Sequence, residues 1–233
     1  ETAFWRTLDV MQMRSINFKK PIIDLGCGDG SFSFTKFGGK VDYNFDVYRT
    51  INDTSKFFSG RDIHDQNKII SPKIIRKPKI KIDVGLDWKK SLLDKAKKFK
   101  IYDKLVEHDS NQTLPFPDNS FKTVFSNTFY WLKNIDNILS EANRICTSDG
   151  QIIIFVPDKK FKQSLIFNEF LKSGYTWAKV LDRGIYDNVQ HCYTHEKWKS
   201  LFPKANLKII SHSNYATKNL TKIWSIGMRP YSP

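Results

Sequence analysis

The chain has 233 residues, 40% hydrophobic and 27% charged, with 18 Phe and 6 Trp, which excludes disordered and fibrous classes and leaves apolar bulk for a real core. Three scattered cysteines, Cys27, Cys146 and Cys192, exclude a disulfide scaffold and give no close pair for zinc or redox chemistry, so a reducing, cytoplasmic setting is expected. The net charge of +14 is concentrated in residues 68–104, with thirteen basic and four acidic side chains; a nucleic-acid footprint is one reading, and lysines covering solvated helix faces is the plainer one, because no aromatics interleave to stack bases.

In chain order, residues 1–19 are expected to hold an N-terminal helix with no signal pattern. Lys20-Pro21 precedes Ile22-Ile23-Asp24-Leu25, an apolar run stopping at Gly26-Cys27-Gly28-Asp29-Gly30, which reads as a buried strand entering a glycine turn and then a helix. Residues 43–80 carry turn pairs (Asn52-Asp53, Ser59-Gly60, Ser71-Pro72, Lys77-Pro78) without a clean period and read as an insertion before the second strand. Its flanks, residues 40–46 and 81–87, look alike, either as a paired ribbon or by coincidence.

The second strand is expected at 81–87, a helix at 91–99, a third strand at 105–107, a fourth at 123–125, an amphipathic helix at 138–145 closed near Gly150, and a fifth strand at 151–156. The longest apolar run, residues 152–156, is far short of the ~20 residues a membrane span needs. Beyond it, a helix at 161–171, a stretch with Tyr175, Trp177, Tyr186, His191 and Tyr193, and a helix near 195–202 read as a helical, aromatic cover over 159–203. Strands alternating with helices at these lengths imply an α/β, Rossmann-like, doubly wound, mostly parallel sheet, as one domain over 1–233.

In such sheets ligands bind at the carboxyl ends of the strands, where Gly26, Gly28 and Gly30 let backbone N–H groups approach. Asp24, just before the turn, suits an ammonium group. Asp87, ending the second strand, suits the two hydroxyls of a ribose; Asp46 competes, but Asp87 is the one followed by a helix and then the third strand.

The strings IIDLGCGDGSFS, VGLDW, EHDSNQTLPFPDNSFKTVFSN and ILSEANRICTSDGQIIIFVP, in this order over roughly residues 20–158, together resemble class I S-adenosylmethionine-dependent methyltransferases of the type 11 kind. The resemblance implies that Asp24, Gly26, Cys27, Gly28 and Gly30 cradle the methionine part of S-adenosylmethionine, that Asp87 with Trp88 meets the ribose side, and that Asp109 with Ser110 meets the adenine. Ser126 and Asn127 then border the reacting methyl. Phe4-Trp5-Arg6 and the stretch from His191 to Trp198 are more loosely similar to a bacterial subgroup associated with surface polysaccharides, which implies O-methylation of a sugar.

This chain departs from that pattern where Tyr130-Trp131 stands in place of a Glu-His pair, and Lys122 in place of an Asp, so a familiar candidate base is absent. A sugar hydroxyl benefits from a base; His191 is the candidate, unless it is merely structural, with Tyr193 or Tyr130 as substrate contacts. His108 and His195 are weaker, the latter explained by capping, and His64 stays open. No Asn-Pro-Pro or Asp-Pro-Pro tetrapeptide and no metal cluster is present, which disfavours amino methylation of bases and metal-assisted transfer. Two further readings stay open: an RNA or phosphate-rich acceptor, and a non-catalytic S-adenosylmethionine-binding module of a longer polypeptide, since the sequence starts without Met. Oligomeric state is not legible.

Overall fold

The run Ile22–Leu25 is buried at all four positions, which a strand achieves only with neighbours on both sides and cover on both faces. In the computed structural model, which describes residues 2–42, 45, 71–175, 177–178, 189 and 191–227, that run is β1, the middle of a five-stranded sheet. The chain forms two compact units, one of residues 17–126 and 145–153, the other of residues 1–16, 127–144 and 154–232.

The first unit holds β1, β4 (Ile82–Asp87), β5 (Tyr102–Glu107), β6 (Phe121–Ser126) and β7 (Cys146–Ile154), in the order β5-β4-β1-β6-β7. β1 pairs parallel with both β4 and β6, and β4 with β5. The chain therefore builds outward from β1 and then returns to its other side, so the strand order reverses at β1, where such sheets bind ligands. This is the mostly parallel, doubly wound fold expected. α2 (Ser31–Lys36) follows the glycine turn, and α3 (Lys90–Phe99) buries Leu93, Ala96 and Phe99 at helical spacing. Phenylalanines weld the interior: Phe32 stacks on Phe125 at 5.8 Å, Phe18 meets Phe37 edge-on at 5.2 Å, and Phe34 meets Phe99 at 5.0 Å, pairs worth about 0.5–1.5 kcal/mol each beyond burial.

Some boundaries differ from expectation for identifiable reasons. β2 (Lys40–Val41) pairs antiparallel with β3 (Ile74–Arg76) in a separate ribbon; residues 82–87 do not pair with it because β1 claims them. Asp46, His64 and the rest of 46–70 lie outside the described residues. β7 starts at Cys146 rather than at 151. A Cβ on Gly150 would lie 2.6 Å from Cys146 Sγ and 2.8 Å from Thr147 Oγ1, so only glycine lets this segment fold closely on itself.

In the second unit, α1 (Thr2–Gln12) is shorter than the expected 1–19. A single-turn 3-10 helix, Phe129–Trp131, precedes α4 (Ile135–Ile145), whose buried Ile135, Ile138, Leu139 and Ala142 form one stripe. The expected helix at 161–171 is two short ones, α5 (Lys160–Ser164) and α6 (Asn168–Lys172), parted where Leu165 turns extended. α7 (His195–Leu201) is capped by Thr194, which accepts from Lys197 N at 3.2 Å; His195 instead lies 4.1 Å from the His212 ring. α8 (Lys218–Gly227) closes the described chain. Among the described residues no helix is long and apolar enough to cross a membrane.

Gly85 in β4 faces the Tyr102 ring, and a Cβ there would sit 2.7 Å from it. The ring is pinned by its hydroxyl on Asp24, so Gly85→Ala should destabilise the chain by about 1–3 kcal/mol, read as a lower urea midpoint with an unchanged slope.

Candidate active site

The turn after β1 is held to the end of β4. Gly26 N and Cys27 N both donate to Leu86 O, at 2.8 and 2.9 Å, and Gly28 N donates to Asp87 Oδ2 at 2.9 Å. Gly26, Gly28 and Gly30 have φ of +74°, +56° and +75°, a region where a side chain is strained. At Gly28 a Cβ would meet nothing within 4 Å, so the backbone there faces open space. Gly30 does a different job, since a Cβ would lie 3.0 Å from the Tyr102 ring and 3.1 Å from Ala96; it lets α3 and Tyr102 pack close.

Asp24 is 2% exposed. Its Oδ2 accepts from Ser33 Oγ at 2.5 Å and from Tyr102 Oη at 2.7 Å, while its Oδ1 is buried without a hydrogen-bond partner. Buried polar groups almost always find a partner, so the orphan marks a place for a ligand donor. Burial pushes the Asp24 carboxyl up to about 6 against those two bonds, with the Asp87 charge adding to the rise. Asp87 is raised by burial too, and held down by the backbone N–H groups of Lys89 and Gly28. Burial and both carboxylates keep the Cys27 thiol protonated.

Further along the strand ends, Trp88 is 65% exposed, a large open ring. Asp109 Oδ1 accepts from the backbone and side chain of Asn111 at 2.9 and 2.8 Å, forming an exposed Asx turn, and Ser110 beside it is buried. Ser126 Oγ donates to Leu25 O at 2.8 Å, tying the ends of β6 and β1 together; Asn127 follows, half-buried. Ser33 and Tyr102 were not read from the sequence. Ser33 was within reach of reasoning, as the third residue of the helix that follows the turn.

In the second unit, His191 Nε2 lies 2.6 Å from Leu132 O and Nδ1 lies 2.7 Å from Tyr193 Oη. A carbonyl only accepts, so Nε2 carries a hydrogen and donates to Leu132 O. Burial raises the Tyr130 hydroxyl, and the charges of Asp9 and Cys192 push it further. Asp9 is itself buried and accepts from Tyr215 Oη at 2.6 Å; neither residue was a candidate from the sequence, although an acid one turn before the buried Met13 was a signal. His108 Nε2 is 3.0 Å from Thr113 O. Among the described residues no group of three or more His, Cys, Asp or Glu is placed to hold a metal ion.

Residues 76–154 match the model of a methyltransferase domain family, a stretch running from β3 to the end of β7 and containing Asp87, Asp109 and Ser126. No curated protein matches the chain. Among solved structures, an S-adenosylmethionine-dependent methyltransferase from Thermotoga maritima is similar at TM-score 0.54 and 14% identity, over 89% of this chain and 72% of that one. A complex of the Haloferax volcanii Trm112 methyltransferase activator with a methyltransferase is similar at TM-score 0.51 and 15% identity, over 98% and 87%. The [4+2]-cyclase SpnF is similar at TM-score 0.52 and 13% identity, over 94% and 63%, so the reaction must be argued from the site. The fold is that of the class I methyltransferases.

The domain match implies S-adenosylmethionine as the cofactor, and the residues present fit it: an orphaned buried carboxylate oxygen for an ammonium, open space over Gly28, a buried acid for a ribose and an exposed indole beside it. Pairing with an ammonium requires ionised Asp24. Affinity for S-adenosylhomocysteine, measured by calorimetry, should therefore be flat above about pH 6 and weaken up to tenfold per unit as pH falls below it. Asp24→Asn should bind weakly with that pH dependence gone.

Proposed function

We propose that the chain is an S-adenosylmethionine-dependent methyltransferase acting on an oxygen of a sugar or another small acceptor, in cytoplasmic steps of surface-glycan assembly, with residues 1–233 working as one functional domain. The observation that carries the donor half is the buried Asp24 Oδ1 without a partner beside the glycine turn. In this reading Asp24 takes the ammonium, and the backbone of Gly26, Cys27, Gly28 and Gly30 lines the methionine part. Asp87 with Trp88 holds the ribose, Asp109 with Ser110 meets the adenine, and Ser126 and Asn127 border the methyl.

When bound, the donor supplies a methyl on a sulfonium that leaves as a neutral thioether. The chain's own residues have to align an acceptor lone pair behind that methyl, exclude water and accept a proton. Tyr193 and Tyr130 contact the acceptor. His191, with Nδ1 2.7 Å from Tyr193 Oη and Nε2 2.6 Å from Leu132 O, is the candidate base. The sugar rests on the resemblance of residues 4–6 and 191–198 to the polysaccharide-associated subgroup.

A phosphate-rich acceptor, RNA included, is the second reading, supported by the basic stretch of residues 68–104 with its thirteen basic and four acidic side chains. Affinity for mixed RNA that falls steeply with salt favours that acceptor; a flat salt response favours the sugar.

Transfer of a labelled methyl from S-adenosylmethionine to a panel of monosaccharides, disaccharides and nucleotide sugars tests the function directly. A labelled product supports it, and donor binding without single-turnover product from sugars or RNA contradicts it. Asp87→Ala should weaken S-adenosylhomocysteine binding by about 2 kcal/mol, roughly thirty-fold in Kd, because the ribose hydroxyls lose a charged acceptor.

A further inference from the structure

α6 ends in a turn that folds the chain back on the helix it has just left. Gly174, two residues past Lys172, has φ of +80°, the left-handed conformation with which glycine closes helices. Gly174 N donates to Leu171 O at 3.1 Å and Tyr175 N donates to Phe170 O at 3.0 Å, so the cap carries Tyr175 back over the helix end. The rings gather there. Phe170 lies 5.1 Å from Trp177 and 6.3 Å from Tyr175, and Tyr175 and Trp177 lie 6.4 Å apart. Buried Phe167 meets Trp177 edge-on at 6.5 Å and roots the group.

Phe170, Tyr175 and Trp177 are nevertheless 40, 54 and 48% exposed. Single exposed apolar residues need no explanation, but three large rings in mutual contact form a patch of the kind that marks an interaction surface. The residue types narrow its partner. Tyr and Trp each join an apolar ring to a polar atom, the combination favoured where lipid headgroups meet acyl chains. The surrounding sequence is basic: residues 159–172 hold Lys159, Lys160, Lys162 and Lys172 against one acid, Glu169, in a chain of net charge +14. Rings among lysines complement an anionic bilayer, since the lysines meet acidic headgroups while the rings enter the boundary below them. A neutral glycan would use the rings and leave the lysines without a role. The rings and these lysines all belong to the second unit, so the surface needs nothing from the sheet.

We propose that the patch of Phe170, Tyr175 and Trp177, with the lysines of α5 and α6, is a docking surface that holds the chain on an anionic lipid bilayer without crossing it. The lysines draw the chain in over about a Debye length, ~10 Å at 0.1 M salt. The rings then leave water at the headgroup boundary. Binding of this kind is reversible, is weakened by salt and needs both parts. It does not depend on the methyl-transfer reading, since docking requires neither donor nor acceptor.

The test is co-sedimentation of the full chain with vesicles of phosphatidylcholine alone, and of equal parts phosphatidylcholine and phosphatidylglycerol. Wild type, Lys172→Glu and the double variant Tyr175→Ser with Trp177→Ser are compared, with melting temperature and S-adenosylhomocysteine affinity measured alongside. Wild type should bind the mixed vesicles about tenfold or more tighter than the neutral ones, a preference that shrinks as salt is raised. The double variant should lose about tenfold or more of its affinity for mixed vesicles, with melting temperature and S-adenosylhomocysteine affinity kept. Lys172→Glu should lose about fivefold or more on mixed vesicles and nothing on neutral ones. A double variant that sediments like wild type overturns the inference and gives the binding to the basic stretch of residues 68–104. Wild type that sediments with neither vesicle also overturns it, and wild type that instead binds a soluble oligosaccharide or self-associates through these rings assigns the patch to that occupant. Vesicle binding by a chain that binds no S-adenosylhomocysteine would sink the methyl-transfer reading and leave this one standing.

Discussion

The sheet unit is organised around one buried carboxylate. Asp24 is the last residue but one of the central strand β1, and its Oδ2 gathers Ser33 from α2 and Tyr102 from β5. A strand, a helix and the edge of the sheet thus meet at a single acceptor. The Tyr102 ring lies against Gly30 and Gly85, where a Cβ would come within 3.0 and 2.7 Å of it. That packing fixes where the carboxylate points, and it leaves Oδ1 with no partner in the protein. An unpaired buried oxygen of a carboxylate costs stability, and the account of this protein follows from what relieves that cost.

A cation relieves it best. Asp24 and Asp87 occupy the ends of adjacent parallel strands, paired Leu25 with Leu86; both are buried, and the Asp87 charge makes Asp24 harder to ionise. Asp87 is compensated by the backbone N–H groups of Gly28 and Lys89; Asp24 has hydroxyls on one oxygen alone. The site is therefore lopsided in charge before any ligand arrives; in the proposed reading, the ammonium of the donor goes to Asp24 and its vicinal hydroxyls to Asp87. The glycine turn adds room, because Gly28 faces open space while its N–H is already spent on Asp87.

The sheet was legible in the sequence because its strands are buried on both faces and so read as nearly continuous apolar runs bounded by glycine or acid. Asp24, Gly28 and Asp87 could be singled out for the same reason: chemistry at the end of a parallel strand lies within a few residues of the run that forms it. Of the residues bonded to buried acids, Ser33 lies nine positions from Asp24 and was within reach, whereas the tyrosines are remote in the chain. Tyr102 reaches Asp24 across 78 positions and Tyr215 reaches Asp9 across 206, distances at which periodicity carries no information. Asp9 was also masked by its helix, whose polar and apolar residues blur the face it occupies. The start of β7 was misread because Gly150 looks like a terminator, whereas here it permits a close fold inside the strand.

The central claim is that the orphaned Asp24 oxygen exists to hold the amine of the methyl donor. A crystal structure of the chain with S-adenosylhomocysteine tests it most directly. The account predicts the ligand amine within hydrogen-bond distance of Asp24 Oδ1, the methionine chain over Gly28 and both ribose hydroxyls on Asp87. A ligand bound with its amine elsewhere, or one that leaves Asp24 Oδ1 still unpartnered, would contradict it.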